Sequence, residues 1–334
     1  MAIWLFACCG MVFAMALLGA ITRLTESGLS ITDWNPVMGA LPPLGEAAWN
    51  KAFSAYQAIP QYQILNRGMT LEEFKGIYFW EWLHRLWGRL TGVVFALPFL
   101  WFLAQRRIDR TTGLKLAGIL ALGGLQGFIG WFMVQSGLEL RTSVSPYRLA
   151  LHLGFAVLLY ALMLWMALGR ADMMEVKASK NIQRFGWLVL GLLGLTMIWG
   201  ALVAGLRAGE AYNTWPLMEG EFLPAAAWAL QPKWLNFFEN LALVQFIHRW
   251  LGPLTVLGIL AWTARLWRKA GRDEKFWIYA LGSMAILQTA LGLATLLTHV
   301  DIVLAVAHQA GALMLLSLML VNLRMISGTL KTRK

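Results

Sequence analysis

The residues of this sequence best suited to chemistry are its histidines, and four of the five fall into a pattern. His84 and His152 lie in the first half, and His248 and His308 in the second. A single histidine in an apolar helix is more often a hydrogen-bonded packing residue than a ligand. Two matched pairs weigh differently, because an ionisable group inside a bilayer is expensive and tends to be functional. Two neutral imidazoles from facing helices can take both axial positions of a haem iron, or hold it loosely so that one position opens. Copper and zinc compete with that reading, but they usually need further Cys, His or carboxylate ligands, which are missing here. The fifth, His299, falls in a short turn and reads as a solvated loop residue.

Two further residue types stand beside these histidines. His84 is followed by Arg85 and His248 by Arg249. Guanidinium forks suit haem propionates; ordinary snorkelling to the membrane interface explains the same positions equally well. Glu81 precedes His84 by three residues, which puts both on one helix face, while the matching position in the second half is Gln245. A carboxylate there can serve as a general base or capture an oxidised intermediate beside a porphyrin. The plainer alternative is that Glu81 caps its helix or pairs with Arg85.

These side chains need a scaffold, and composition identifies it. Of 334 residues, 59% are hydrophobic and 13% charged, too little polar surface for a soluble chain of this length. Apolar runs at 2–22, 77–104, 113–135, 149–168, 185–206, 241–265, 276–298 and 301–323 predict eight transmembrane helices. The first run lacks a basic start and has a counterpart in mid-chain, so it reads as a helix rather than a leader. The net charge of +11 does not point to nucleic acid, because the cations sit between apolar runs rather than in a patch with exposed aromatics. Arg106, Arg107, Arg110 and Lys115 follow the second run. Arg170, Lys177, Lys180 and Arg184 follow the fourth, and Arg265, Arg268, Lys269, Arg272 and Lys275 surround the end of the sixth. Arg324, Lys331, Arg333 and Lys334 form the tail. The positive-inside rule then predicts cytoplasmic termini. The long connections 23–76 and 207–240 face the other side and are long enough to fold as caps. All four paired histidines fall near the starts of even-numbered runs, so the imidazoles are expected at similar depth towards the outer side. The 18 Trp fit interfacial belts and cofactor packing. The cysteines, Cys8 and Cys9, are adjacent inside the first run and read as packing residues.

The halves also resemble each other. GAITRLTESGLSITDWNPVMGALPP from Gly19 aligns without a gap on GALVAGLRAGEAYNTWPLMEGEFLP from Gly200, pairing Gly28 with Gly209, Trp34 with Trp215, Gly39 with Gly220 and Pro43 with Pro224. EWLHRLWGRL at 81–90 aligns on QFIHRWLGPL at 245–254, LQGFIG at 125–130 on LQTALG at 287–292, and LHLG at 151–154 on AHQAG at 307–311. Recurrence in the same order predicts parallel repeats of four helices each, over 1–170 and 181–334. The expected fold is therefore all-α and integral to the membrane, as two pseudo-symmetric four-helix bundles.

GALVAGLRAG…YNTWPLMEG, the ExxH of Glu81–His84, HRWLG at 248–252 and HQAGA at 308–312 together resemble the haem A synthase family of bacterial and mitochondrial inner membranes, over nearly the whole chain. That resemblance implies oxidation of a ring methyl of haem O to a formyl group through successive hydroxylations, giving haem A for cytochrome oxidase. It assigns the substrate haem to His84 and His152, a bound haem b to His248 and His308, and catalysis to Glu81. Some bacterial members carry a cysteine pair in an outer loop; this chain has none there and resembles the cysteine-free branch shared with mitochondria. A haem O synthase upstream and an electron acceptor are the implied partners, with lipid around the helices and a homo-oligomer left open. Two other classes remain: a dihaem b-type electron-transfer protein, which predicts two permanent haems, and a transporter built from parallel repeats, which needs no ligand pairs.

Overall fold

A computed structural model describes the chain except residues 35–37, 140 and 328–334. Lys331, Arg333 and Lys334 of the tail therefore lie outside the described residues. Those described form helices joined by turns: α1 Ala2–Leu24, α2 Glu46–Gln57, α3 Pro60–Ile64, α4 Leu71–Ala104, α5 Arg110–Leu138 and α6 Pro146–Leu168. Then follow α7 Lys180–Leu206, α8 Asn236–Glu239, α9 Leu241–Trp267, α10 Arg272–Leu297 and α11 Ile302–Ile326. Eight of these (α1, α4, α5, α6, α7, α9, α10 and α11) are long and apolar enough to cross a membrane, and Leu97, Leu188, Leu257 and Ile286 on them stand exposed. This is an integral membrane protein, with each predicted span present.

Five spanning helices, α4, α5, α6, α7 and α10, start three to six residues before their apolar runs, and polar caps open three of them, α4, α5 and α7. The second span, expected from residue 77, begins at Leu71. The Thr70 hydroxyl accepts from the Glu73 amide at 3.3 Å, and the Glu73 carboxylate accepts from the Thr70 amide at 2.7 Å, a reciprocal capping box. A Lys75–Glu72 ion pair of 2.6 Å adds to this exposed first turn. Asp109 caps α5 by accepting from the Thr112 amide at 2.9 Å. Hydrogen bonds from the Thr112 hydroxyl, and next from its amide, hold the Asp109 carboxyl below its ordinary value. Asn240 and Asp301 cap α9 and α11 in the same way.

Two compact units emerge, residues 4–160 and residues 161–334 with Met1–Ile3. In the second, α7 packs on α9, α9 on α10, α10 on α11, and α11 returns to α7. One close seam lies where Trp262 of α9, fully buried, donates its indole N–H to the Ile182 carbonyl at 2.9 Å. A Cβ added at Gly186 of α7 would stand 2.5 Å from Cζ2 of Trp262 and 2.9 Å from Cδ2 of Leu323. Gly186→Ala is expected to destabilise this unit by about 1–3 kcal/mol through overpacking, although alanine favours a helix. Thermal unfolding in detergent checks this against Gly191→Ala, where nothing lies within 4 Å.

In the first unit the indoles of Trp4 and Trp87 donate to the carbonyls of Val94 at 2.8 Å and Met11 at 2.9 Å, tying α1 to α4. The connection after α1 folds as a cap. Leu29, Tyr56, Ile59 and Phe74 form its buried cluster. The Tyr56 hydroxyl donates to Gln61 Oε1 at 3.1 Å and accepts from Asn66 Nδ2 at 2.7 Å; burial pushes its pKa up. The connection after α7 folds through a tight turn in which Met218 and Glu221 exchange backbone hydrogen bonds. Glu219 and Gly220 between them have φ of +53° and +91°, the left-handed pair such a two-residue turn demands. Gly39, paired with Gly220 by sequence, has φ of −77° instead, so the caps diverge there.

Candidate functional site

All four paired histidines are half-buried, and each rests against a glycine of the preceding spanning helix in its own half. His84 on α4 and His152 on α6 belong to one compact unit, and His248 on α9 and His308 on α11 to the other, so each pair the repeat predicts lies within a single half. His84 stands deeper along its helix than an apolar start at 77 implies, since α4 begins at Leu71. His299 sits exposed in the turn between α10 and α11, with φ of +54°. Cys8 and Cys9 are buried and free.

The rings differ in how their other nitrogen is held. His248 Nδ1 lies 3.1 Å from the Thr196 carbonyl. A carbonyl only accepts, so Nδ1 carries the proton and Nε2 presents its lone pair. The Thr196 hydroxyl is itself 2.7 Å from that of Thr255, bracing α7 to α9. Metal-bound histidines commonly carry this second hydrogen bond, which fixes tautomer and ring orientation, so the donor set around His248 fits a haem iron. Nδ1 of His84 and of His308 is buried and finds no hydrogen-bond partner among the described residues. Gln126 Nε2 donates to the His152 carbonyl at 3.0 Å and lies 3.2 Å from its Nδ1. The same amide nitrogen lies 3.4 Å from His152 Nε2, so Gln126 faces both ring nitrogens and selects neither tautomer. Gln288 Nε2 makes the matching bond to the His308 carbonyl at 2.9 Å.

Glu81 is buried and fully engaged. Oε2 accepts from the Ser30 hydroxyl at 2.7 Å and the Ile31 amide at 2.8 Å. Oε1 accepts from Arg85 Nη2 at 2.6 Å and Nε at 3.1 Å. Arg85 then donates to the carbonyls of Ile31 at 2.8 Å and Asp33 at 3.0 Å. The second half repeats the grip on equivalent atoms. Arg249 donates to the carbonyls of Tyr212 at 3.0 Å and Thr214 at 2.7 Å, which the gap-free alignment pairs with Ile31 and Asp33. Gln245 Nε2 donates to the Ala208 carbonyl at 2.9 Å and Tyr212 at 3.2 Å. In both halves, therefore, the residue three before the histidine and the arginine after it hold the cap by its backbone. Sequence reasoning missed the glutamines Gln126 and Gln288 and the glycines under the rings, although LQGFIG and LQTALG carried the signal for both.

These features define a class: a polytopic helical membrane protein whose halves each carry a histidine pair beneath a cap gripped by arginine. The family profile described as cytochrome oxidase assembly protein matches residues 2–320. Haem A synthases from Rhodospirillum centenum, Nitrosomonas eutropha and a Bradyrhizobium species are similar to this chain. The first is 57% identical over 97% of this chain and 88% of its own length. The others are 46% identical over 94% and 90%, and 48% identical over 94% and 88%. The chain belongs to the haem A synthase family of cytochrome oxidase assembly proteins.

Proposed function

We propose that this protein oxidises a ring methyl of haem O to a formyl group through successive hydroxylations, yielding haem A. His84 and His152 hold the substrate, with Arg85 at the rim; His248 and His308 hold haem b, with Arg249 at the rim. Haem b bound in the second half supplies a one-electron relay for the electron pairs that leave the methyl carbon, on their way to a separate acceptor. The observation that carries this division is the unequal preparation of the two pairs. His248 is locked with Nε2 free for iron, as suits a permanent ligand. Its counterpart in the first half, His84, has a buried Nδ1 with no such partner among the described residues, as suits a site whose occupant enters and leaves.

Glu81 is the group that distinguishes the halves chemically. Of its four donors, the Ser30 hydroxyl is the one that can turn away without disturbing backbone or ion pair. Oε2 is thus the oxygen available to take one of the two protons released as the methyl gains an oxygen from water and gives up two electrons. The carbonyl contacts of Arg85 and Arg249 place both guanidinium groups at the caps, where a propionate would add one acceptor to a partly satisfied fork. The cation distribution orients the protein in the inner membrane with both termini cytoplasmic and the haem sites towards the outer side. A haem O synthase delivers the substrate through the lipid phase.

The test is co-expression with a haem O source, followed by purification and extraction of the pigments. One resident haem b, with haem O or haem A in the second position, is the expected composition. Two haems b and no haem A under any supply of haem O would identify an electron-transfer protein instead.

A further inference from the structure

We propose that Gly19, Gly130, Gly200 and Gly292 are the positioning residues of the four histidines: each leaves bare helix backbone on which one imidazole is seated, fixing where its Nε2 points. A Cβ built at Gly19 would stand 3.0 Å from Cε1 of His84, at Gly130 3.0 Å from Cε1 of His152, at Gly200 2.9 Å from Cε1 of His248, and at Gly292 2.7 Å from Cε1 of His308. The same ring atom meets the same kind of residue four times. Each glycine lies on the spanning helix just before the one bearing its histidine, α1 before α4, α5 before α6, α7 before α9 and α10 before α11. Other glycines on those helices, Gly10, Gly123, Gly191 and Gly194, have nothing within 4 Å. Where other glycines of these helices are met closely, the neighbour is an apolar side chain, Leu29 at Gly137 and Trp262 at Gly186; only the four named meet a histidine ring.

A methyl at these positions cannot be absorbed by the helix bearing it, because its Cβ direction is fixed. The ring must give way, by rotating about its side-chain torsions, and Nε2 moves with it. The effect opposes intrinsic helix preference, since alanine favours a helix over glycine by about 1 kcal/mol. A loss of ligation in an alanine variant is therefore not a loss of helix.

This inference rests on the haem reading above, and its test separates the two. Gly200→Ala and Gly292→Ala, purified as full-length protein, are expected to retain haem b about 10–100-fold more weakly, the range for substitutions that disturb a metal ligand's support. Their optical and electron paramagnetic resonance spectra should depart from the low-spin form of the parent. Gly19→Ala and Gly130→Ala should leave that haem b spectrum unchanged while weakening uptake of added haem O. Gly194→Ala is the control and should match the parent throughout. Parental affinity and spectra in both Gly200→Ala and Gly292→Ala overturn the seats and leave the functional reading standing. Parent protein that binds no haem overturns the functional reading instead. The seats are then read on apoprotein, by the rate at which diethyl pyrocarbonate modifies His248 and His308: a changed rate in the two alanine variants upholds them, and a rate equal to that of Gly194→Ala removes them.

Discussion

Glu81→Gln is expected to lower haem A formation by about 10²-fold or more, the scale of a lost general base, while the haem b of the second half stays in place. The choice of glutamine follows from the chain itself. Gln245 occupies the equivalent position, holds the Tyr212 and Ala208 carbonyls and sits beside Arg249 in the same cap arrangement. A glutamine can therefore keep the cap folded at this site, and what the substitution removes is the charge and the basic oxygen. Glu81→Ala is a poorer probe. It strands Arg85, whose side chain is only 16% exposed, and removing one partner of a buried pair costs about 3–5 kcal/mol, so cap unfolding and lost chemistry would be confounded. The measurement is haem A against haem O in pigment extracts, normalised to haem b. Parental haem A output from Glu81→Gln would leave Glu81 only the work of holding Arg85 and the Ile31 amide.

That outcome matters because the sequence offered both readings of Glu81, and the coordinates contain the plainer of the two: the ion pair with Arg85 is real. The eight spans were legible because a bilayer demands long apolar runs, and no other feature of the chain competes with that signal. Their starts were less legible. Thr70, Asp109 and Ser179 extend helices through polar side chains that accept backbone hydrogens, and a hydropathy pattern reads those turns as loop. The histidine pairs were legible through the repeat, since duplicated imidazoles keep their order along the chain. The targets of the arginines were not. Propionates, the membrane interface and, for Arg85, Glu81 were the candidates; beyond Glu81 and Gln245, the groups the two arginines touch are backbone carbonyls of the caps, which no side-chain pattern announces. The glycines under the rings escaped for a related reason: a residue that acts by lacking a side chain stands out only once its neighbour is known. The alignment had nevertheless paired Gly19 with Gly200 and Gly130 with Gly292, and the shared contact with His84, His248, His152 and His308 gives that pairing its physical meaning.

His248→Ala is expected to abolish resident haem b and, with it, haem A formation, whereas His84→Ala should abolish substrate binding and leave haem b intact. The asymmetry of effect follows from asymmetry of preparation. His248 is held at three points: its backbone in α9, the Gly200 seat under Cε1, and the Thr196 carbonyl on Nδ1. The carbonyl is steadied in turn by the Thr196–Thr255 hydroxyl pair. Losing support of this kind costs about 10–100-fold in metal affinity, so losing the ligand itself should exceed that range and leave the protein without haem b on purification. A haem-free second half has no relay for the electrons leaving the first, so haem O should accumulate unoxidised at His84 and His152. The mirror variant breaks the other end of the same chain of events: haem b remains, shows its parental spectrum, and receives no electrons. Optical spectra of the two purified variants, with pigment extracts from each, check the pair together. Imidazole added to His248→Gly is a further discriminator, since a free ring entering the vacated space should restore haem b and not haem O. If His248→Ala retained haem b at parental occupancy and spectrum, the second half could not be the permanent site, and the division of labour between the repeats would have to be reversed or abandoned.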